Sequence, residues 1–343
     1  MPAIRPWLAA ALTTACALPL SAQQTQSFRF SGPATVYDLV GQVTVVPATG
    51  STTVTVHRVG PDAGQLQVRQ DGDRLQVVFP GSRVVYDSMG YNSRTDVHIA
   101  DDGSFGRGRR VVVAGSGDGL HAWADLEVAV APDAQVEIGL AVGRVTVRNV
   151  AGQLRIKTAS ADIDTHGGSG ALDLGAGSGD ITITKAHGAV NASTGSGDIT
   201  VDQAATSDLV LNTGSGDIRA SSVTSPAAHL QTGSGDVTAR DANVQRLTLH
   251  TGSGDIEATL DGTVSQLMAN AGSGDVTIAA PASLGAAVRI TTGSGDLHTE
   301  FPVTVTHRQE HELVGTIGDG HGQVQIETGS GDVHLNSRRT AVR

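Results

Sequence analysis

The chain has 343 residues and a net charge of −11, and only 17% of its residues are charged. This acidic balance, without any cluster of Lys and Arg, excludes a general affinity for nucleic acid or for anionic membrane surfaces. Aromatic residues make up only 3% of the chain, whereas glycine contributes 44 residues. We therefore expect a narrow core of stacked Val, Ile, Leu and Ala side chains.

The first segment is typical of a signal peptide. Residues 1–5 carry positive charge, residues 7–20 are mainly apolar, and Ser21-Ala22 provide the small residues of a cleavage site. We predict a signal peptide over residues 1–22 and export of the mature chain to the periplasm, the outer surface or the medium. The apolar run is too short to cross a membrane as a helix, so no transmembrane segment is expected in the mature chain. The only cysteine, Cys16, lies in this segment, which leaves a lipoprotein as an alternative.

Residues 23–140 are predicted to form a β-rich N-terminal region and cap. Apolar and polar residues alternate in six short segments that read as strands. These segments are 41–46, 52–58, 65–69, 74–79, 110–113 and 126–130. Residues 87–109, rich in Gly, Ser and Arg, predict a loop.

A tetrapeptide repeat dominates the rest of the chain. Gly-Ser-Gly-Asp occurs nine times; the copy at 115–118 is isolated, and from Gly177 to Asp296 the copies recur every 18 to 21 residues. Apolar residues flank each copy two positions apart, such as Leu209 and Leu211 before one copy. The apolar sets before and after a copy are separated by an odd number of residues, so one straight strand cannot bury both. Each copy must therefore turn a corner, where glycine would provide backbone angles that other residues adopt only at a cost.

These repeats predict an all-β fold, a parallel β-solenoid (β-helix) with two short strands per turn of about 19 residues. Parallel pairing of successive turns buries an aliphatic core that no single turn could bury. We assign the Gly-Ser-Gly-Asp solenoid to residues 141–336 and a polar tail to residues 337–343. The charged Ser337-Arg338-Arg339 segment would blunt the open end of the solenoid, so we predict a monomer.

The aspartates that end the regular copies should form a column with a spacing of about 4.8 Å. Their carboxylates would repel one another by about 1 kcal/mol per pair in water. Two interpretations stay open: each carboxylate accepts hydrogen bonds from glycine or serine N–H groups at a corner, or the column binds cations, calcium above all. The first is favoured because the calcium-binding nonapeptide repeat places its aspartate differently. The candidate cation ligands are Asp180, Asp198, Asp217, Asp236, Asp255, Asp275 and Asp296.

No catalytic centre or cofactor site is predicted, and calcium enters only through the aspartate column. Residues 307–311 spell His-x-x-Glu-His, a zinc-peptidase pattern that requires a helix. Here the pattern follows an alternating, strand-like segment, so a chance match is favoured. The serines of the repeats lie between two glycines and have no dedicated base, so they do not indicate nucleophilic catalysis.

Several segments together carry a resemblance to a known family. They are the β-rich start, the strand 128–131 followed by Pro132, the repeated Thr-Gly-Ser-Gly-Asp-Ile-Thr and the segment 314–318 before the last copy. The chain resembles, over about residues 35–336, the bacterial putative adhesin family, a domain of unknown function. The resemblance implies a β-solenoid with a binding or structural role in the cell envelope, and it carries over no catalytic residue.

Three hypotheses about function follow. The first is an exported, non-enzymatic adhesin or structural protein of the bacterial envelope that contacts a cell-surface glycan or an envelope protein through two polar faces. One face is predicted to carry Thr182, Thr200, Arg219, Thr238, Glu257 and Thr277, and the other Asn191, Asn212, Gln231, His250, Asn270 and Thr291. The second is an envelope sensor or scaffold whose N-terminal region, with Tyr86, Tyr91 and Trp123, binds a specific protein. The third is a carbohydrate-active β-helix enzyme, which the absence of Trp and Tyr from residues 141–336 disfavours.

Overall fold

The structure, a computed structural model, describes residues 24–338. The predicted signal peptide with Cys16 and the end of the predicted polar tail, residues 339–343, lie outside the described residues. Within residues 24–338 the chain folds into 28 strands and one short 3-10 helix, Ala63–Gln65. This part of the chain contains no helix with the length and apolar character that a membrane span requires.

The strands, numbered in chain order, have the following bounds. They are β1 (Gln24–Phe30), β2 (Ala34–Pro47), β3 (Thr52–Val59), β4 (Gln67–Asp71), β5 (Arg74–Val78), β6 (Arg83–Val85), β7 (Arg94–Ile99), β8 (Arg109–Ala114), β9 (Trp123–Val130), β10 (Gln135–Arg148), β11 (Gln153–His166), β12 (Leu172–Ala176), β13 (Ile181–Thr184), β14 (His187–Thr194), β15 (Ile199–Asp202), β16 (Ala205–Thr213), β17 (Ile218–Ser221), β18 (Thr224–Thr232), β19 (Val237–Thr251), β20 (Ile256–Leu260), β21 (Gln266–Ala271), β22 (Val276–Pro281), β23 (Ala286–Thr292), β24 (Leu297–Thr299), β25 (Val303–Gln309), β26 (Glu312–Ile317), β27 (Gly322–Thr328) and β28 (Val333–Arg338).

The predicted parallel β-solenoid is confirmed. Each turn, here called a coil, has one strand before the Gly-Ser-Gly-Asp corner and one after it, such as β14 and β15. Both strands pair in parallel with their counterparts one coil later, with Val190 opposite Leu209 and Ile199 opposite Ile218. In β14–β18 the apolar side chains that flank the corners point inward and are buried, as their alternation predicts. Stacking therefore produces one continuous aliphatic core, which no coil could form alone.

Parallel stacking already begins in the N-terminal region. Strand β2 pairs in parallel with β10, with Val43 opposite Val145, so coils are present ahead of residue 141. On its other side β2 pairs with β9 and β5, and β3 and β1 extend the β9 sheet in antiparallel fashion. These strands cover the first coil, as a cap does.

A separate three-stranded sheet packs beside this cap. It contains β6, β8 and β7, and β7 runs antiparallel to β8. The predicted loop over residues 87–109 is therefore wrong in its middle, because β7 pairs with β8 although its sequence gives a weak apolar pattern. The isolated Gly-Ser-Gly-Asp copy at 115–118 forms a bend after β8 and lies outside the coils.

The order of coils in space differs from their order in the sequence. Strand β27 pairs with β21 on one side and with β23 on the other, and β28 likewise lies between β22 and β24. The coil formed by β27 and β28 is thus inserted between two coils that precede it in the chain. The hairpin of β25 and β26 then covers the outer edge of β23, with antiparallel pairing. Our assumption that Asp275 and Asp296 belong to adjacent coils is wrong, because Asp332 lies between them.

The same insertion corrects the account of the chain's end. Arg338, which we expected to blunt the open end, lies in β28 inside the stack. Its Nη1 atom is 3.1 Å from Oδ1 of Asp261 and 3.7 Å from Oδ1 of Asp241. The open end of the stack is formed instead by β24 and the β25–β26 hairpin.

The corner glycines are required for a different reason from the one predicted. None of the corner glycines of residues 177–331 has a positive φ. A Cβ atom built on Gly216 would instead overlap the carbonyl oxygen of Gly197 in the preceding coil, and the same holds for the other stacked corners. Glycine is needed because backbones approach too closely for a side chain.

Positive φ values occur at the opposite corner of the coils. Residues there adopt the left-handed conformation in successive coils, and most are not glycine. They are Asn149, Gly167, Lys185, Gln203, Ser222 and Asp241. Their backbone N–H groups donate to the following coil, as from Lys185 to the carbonyl of Asp202 (2.9 Å). These hydrogen bonds hold a conformation that is unfavourable for residues with a Cβ.

Candidate binding surfaces

A buried threonine fixes each Gly-Ser-Gly-Asp corner. The residue before the corner is threonine in most coils, and we call these the corner threonines: Thr194, Thr213, Thr232, Thr251, Thr292 and Thr328. Oγ1 of Thr213 donates to the carbonyl of Gly197 in the preceding coil (2.9 Å) and accepts from the N–H of Gly216 in its own corner (3.2 Å). The role of this threonine was not predicted, although its recurrence before the first glycine of the corner is visible in the sequence.

The aspartates form the predicted column, and each is bonded to the next. Oδ1 of Asp198 accepts the backbone N–H of Asp217 (2.9 Å), and Oδ1 of Asp217 accepts that of Asp236 (2.9 Å). In spatial order the column is Asp162, Asp180, Asp198, Asp217, Asp236, Asp255, Asp275, Asp332 and Asp296. The donor is the backbone N–H of the aspartate in the next coil, where we had expected a glycine or serine N–H.

Arginine side chains offset part of the negative charge of the aspartate column. Arg219 lies 2.6 Å from Oδ2 of Asp217 and 3.3 Å from Oδ2 of Asp198, and it thereby bridges two coils. Near the start of the column Arg144, in β10, forms ion pairs with Asp162 and Asp164, which both lie in the next coil. Within residues 24–338 no group of three or more His, Cys, Asp or Glu side chains is arranged to hold a metal ion. The column can therefore be built from hydrogen bonds and ion pairs alone.

One outer face of the solenoid carries a mixed polar column. It follows the strands after the corner and contains the residues predicted for it: Thr182, Thr200, Arg219, Thr238, Glu257 and Thr277. His334 and His298 continue this column, and their ring centroids are 5.8 Å apart. Threonine hydroxyls, one arginine and one glutamate follow one another along this column. A partner would therefore meet a different kind of side chain from one coil to the next.

The opposite outer face, formed by the strands before the corner, is uncharged over five coils. We call it the uncharged face and define it as residues 191–193, 210–212, 229–231, 248–250 and 268–270, among which there is no Asp, Glu, Lys or Arg. Its outward side chains are amides, hydroxyls and imidazoles, with Val210 and the 39% exposed Met268 between them. At one strand spacing of about 4.8 Å per coil, the face is about 19 Å wide.

The register changes the membership of the predicted ladder on this face. We grouped Asn191 with Asn212, but Asn212 stands opposite Ser193, and Asn191 belongs to the neighbouring column with Val210. Thr291 is separated from Asn270 by Glu327 of the inserted coil. The continuous amide and imidazole column is thus Asn212, Gln231, His250 and Asn270.

The His-x-x-Glu-His segment lies in a hairpin. His307 is in β25, and His311 lies in the turn that leads to β26, so the helix required by a zinc-peptidase site is not formed there. Nδ1 of His311 is 3.3 Å from the carbonyl oxygen of Gly295. This carbonyl corresponds to the one that accepts a corner threonine in interior coils, so His311 takes the place of a threonine at the end of the stack.

A carboxyl group is fully buried at the first coil. Asp38 is 1% exposed, and no side chain of residues 24–338 forms a hydrogen bond with either of its carboxyl oxygens. Its position in the coil is that of Leu140 and of Thr158 in the next two coils. Burial raises the pKa of Asp38 well above its usual value, and the nearby Asp125 carboxylate acts in the same direction. The fold therefore favours the neutral form of Asp38, which the sequence alone did not indicate.

The aromatic residues proposed for a protein contact differ in exposure. Tyr86 is buried and packs edge-on against Trp123, with ring centroids 5.6 Å apart. Tyr91 is 78% exposed on the segment between β6 and β7. Only Tyr91 of the three offers a large accessible surface.

Known proteins resemble this chain in fold, and one family model matches residues 171–336. Among solved structures, the chain is similar to a putative adhesin from Bacteroides fragilis (13% identity, TM-score 0.36) and to one from Parabacteroides merdae (8% identity, TM-score 0.38). It is also similar to a putative lipid binding protein from Parabacteroides distasonis (8% identity, TM-score 0.30). Each of these similarities covers 92% of this chain and 96% of the other. No curated protein matches the chain. Residues 171–336 match the family model Toastrack DUF4097, which describes a domain of unknown function.

Proposed function

We propose that the protein is an exported, non-enzymatic solenoid of the bacterial cell envelope that binds a cell-surface glycan through the uncharged face. The observation that carries the proposal is the composition of this face, which is free of charged residues over five coils although the chain has a net charge of −11. Amide and imidazole groups both donate and accept hydrogen bonds, as sugar hydroxyls do. Their repetition at each coil suits a polymer with repeated units.

The absence of charge argues against an ionic partner on this face. Met268 and Val210 add small apolar areas between the polar groups, which suits the mixed polar and apolar surface of a sugar ring. Contacts of this kind are individually weak, so useful affinity would come from several coils acting together. The rigid stacking of the coils supports such binding, because it fixes the spacing of the groups before the partner arrives.

Glycan retention tests the proposal. The mature chain is incubated with immobilised cell-surface polysaccharides, and the double variant Asn212→Asp/Gln231→Glu is compared with it. The variant keeps the shape of the face but adds two negative charges, and we expect it to lose at least about tenfold in affinity. The matched control is Asn92→Asp/Gln70→Glu, which makes the same changes at exposed positions of the N-terminal region. Absence of any retained polysaccharide, or equal loss in both variants, would contradict the proposal.

One observation favours a second candidate function, an envelope scaffold that binds a specific protein. Tyr91 projects from the N-terminal region with 78% of its surface exposed, and exposed tyrosines are enriched at protein interfaces. Crosslinking in intact cells with Tyr91 replaced by a photoreactive residue would identify such a partner. A crosslinked protein that is lost on replacing the reactive group by Phe would favour the scaffold function over glycan binding.

A further inference from the structure

The open end of the solenoid is covered over only half of its last coil. Strand β26 pairs with β23, and the N–H of Thr292 donates to the carbonyl of His311 (3.0 Å), so the strand before the corner is covered. Strand β24, after the corner, pairs with β28 and with no other strand of residues 24–338. Leu297 in β24 is only half-buried, whereas its counterpart Val333 in the coil below is completely buried.

The edge of β24 carries the groups that each interior coil uses to bind the next. In the coil below, Oδ1 of Asp332 accepts the N–H of Asp296 (2.8 Å), and the N–H of Val333 donates to the carbonyl of Asp296 (2.9 Å). The corresponding groups of the last coil are Oδ1 of Asp296 and the N–H of Leu297. Within the described chain neither of them makes this hydrogen bond. Oδ1 of Asp296 can thus accept, and the N–H of Leu297 can donate, a hydrogen bond with a further strand that runs parallel to β24.

A groove of about 710 Å³ lies over this edge. Phe301 and Leu313 line it together with Val303 and Val305 of the hairpin, and Val305 is 46% exposed. The groove therefore combines an unpaired strand edge with apolar walls, as do sites that bind peptides by strand addition.

The charge of the groove indicates what its occupant carries. Asp296, Asp332 and Glu310 line it, against one arginine, Arg308. In an interior coil, an arginine offsets this negative charge. Arg219 lies two residues after Asp217 and reaches Oδ2 of Asp198 in the preceding coil (3.3 Å). An arginine at the same position of an added strand would reach Oδ2 of Asp296.

We propose that β24 is a strand-addition site for an extended segment of a partner protein with the pattern Asp-apolar-Arg-apolar, which lies parallel to β24 in the groove beside the hairpin. The N–H of the segment's aspartate donates to Oδ1 of Asp296, and the carbonyl of that same aspartate accepts the N–H of Leu297. The first apolar side chain of the segment covers Leu297. This end site is separate from the uncharged face and goes beyond glycan binding.

The chain itself supplies the sequences of a matched pair of probes. The first is a capped, fluorescent peptide Gly-Ser-Gly-Asp-Ile-Arg-Ala-Ser, the sequence of residues 214–221, and the second is Gly-Ser-Gly-Asp-Ile-Glu-Ala-Thr, that of residues 252–259. Fluorescence anisotropy with the mature chain should show saturable binding of the arginine peptide below about 1 mM. We expect the glutamate peptide to bind at least about threefold more weakly, the range of an exposed ion pair.

Two variants test the geometry. Asp296→Asn keeps an acceptor but removes the charge, so it should bring the affinities of the two peptides together, whereas the exposed Asp208→Asn should leave their ratio unchanged. Leu297→Pro removes the N–H that points away from β28 and should abolish binding of both peptides, with the melting temperature checked to show that the solenoid remains folded.

Three outcomes would overturn the proposal. They are no binding of the arginine peptide, binding that is unaffected by Leu297→Pro, and a concentration-dependent dimer that Leu297→Pro dissolves, which would make a second copy of this chain the occupant. Because Asn212→Asp/Gln231→Glu leaves β24 intact, that variant should bind the arginine peptide normally even if it has lost glycan.

Discussion

Gly216 packs so closely against the carbonyl oxygen of Gly197 that a Cβ atom on Gly216 would overlap it. Because both residues belong to backbones held in parallel register, neither can move without breaking the hydrogen bonds of its coil. The corner is therefore a place where the coils leave no room for a side chain.

The first prediction concerns this contact. Gly216→Ala should destabilise the solenoid by about 2–3 kcal/mol, the range of overpacking in a well-packed interior. The control is Gly175→Ala in β12, where the nearest atom to a Cβ would be Oγ of Ser193 at 3.8 Å and φ is not positive. This control should be neutral or slightly stabilising. Urea denaturation followed by circular dichroism measures both, and equal midpoints for the two variants would contradict the close-packing explanation.

The second prediction concerns the corner threonines. Thr213→Val keeps the shape of the side chain but leaves the carbonyl of Gly197 and the N–H of Gly216 without their partner. We expect a loss of about 1–3 kcal/mol, the cost of unsatisfied buried groups. Thr238→Val, on the outer face, should change the unfolding midpoint by much less. If the two variants unfold alike, the buried hydroxyl contributes nothing.

The third prediction concerns the left-handed corner. Lys185 has φ of 55°, a conformation that costs a residue with a Cβ about 1 kcal/mol or more. Lys185→Gly relieves this cost, although glycine also loses more backbone entropy on folding. We expect a net change between zero and about 1 kcal/mol in favour of the variant. Lys157→Gly, in the extended strand β11, should be destabilising, and a larger loss at residue 185 than at 157 would refute the prediction.

The fourth prediction concerns the buried Asp38. Its pKa in the folded protein is raised by burial, so the fold favours the protonated form and loses stability as the pH rises above the unfolded pKa of about 4. Asp38→Asn cannot ionise and should equal the wild type near pH 4 but melt at a progressively higher temperature than the wild type toward pH 8. The exposed Asp71→Asn serves as the control. A constant difference between Asp38→Asn and wild type at all pH values would show that Asp38 ionises without penalty.

The fifth prediction concerns the aspartate column. Asp217 already accepts the N–H of Asp236 through Oδ1 and binds Arg219 through Oδ2, so its oxygens are engaged without a cation. We expect millimolar calcium, compared with EDTA, to change the melting temperature by less than about 1 °C. A saturable rise that disappears in Asp236→Asn/Asp255→Asn would instead establish the column as a cation site.

The repeat unit could be predicted from the sequence because it depends on local spacing. In one continuous strand, Leu209 and Leu211 would lie on one face and Ile218 on the other, because their separation is an odd number of residues. Burying all three therefore requires a corner at residues 214–217. Strand β7 escaped prediction since its pairing with β8 depends on a partner and not on its own alternation. The role of the corner glycines was also misjudged, because the carbonyl that excludes a Cβ belongs to another coil.

The position of the last coil could not be predicted from spacing. Asp275, Asp296 and Asp332 carry identical corners, and nothing local to them states which two are neighbours. Which coils become neighbours depends on the β25–β26 hairpin, because this hairpin pairs with one edge of β23 and leaves the other edge to β27. Asp38 is a similar case, since its burial results from strands β2, β9 and β10 coming together and not from the residues beside it.

The inserted coil imposes an order on the assembly of the chain. Earlier coils can each add to their predecessor as soon as they are free to fold, because sequence order and stacking order agree from β10 to β22. Residues 286–299 cannot follow that rule, since their neighbour is made of residues 322–338, which are synthesised later. These residues must therefore remain undocked, or dock on β21 and β22 and dissociate again, until residues 322–338 are in place. Completion of the solenoid thus depends on residues 322–338. A chain that stops near residue 320 would stack β23 directly on β21, in the wrong order.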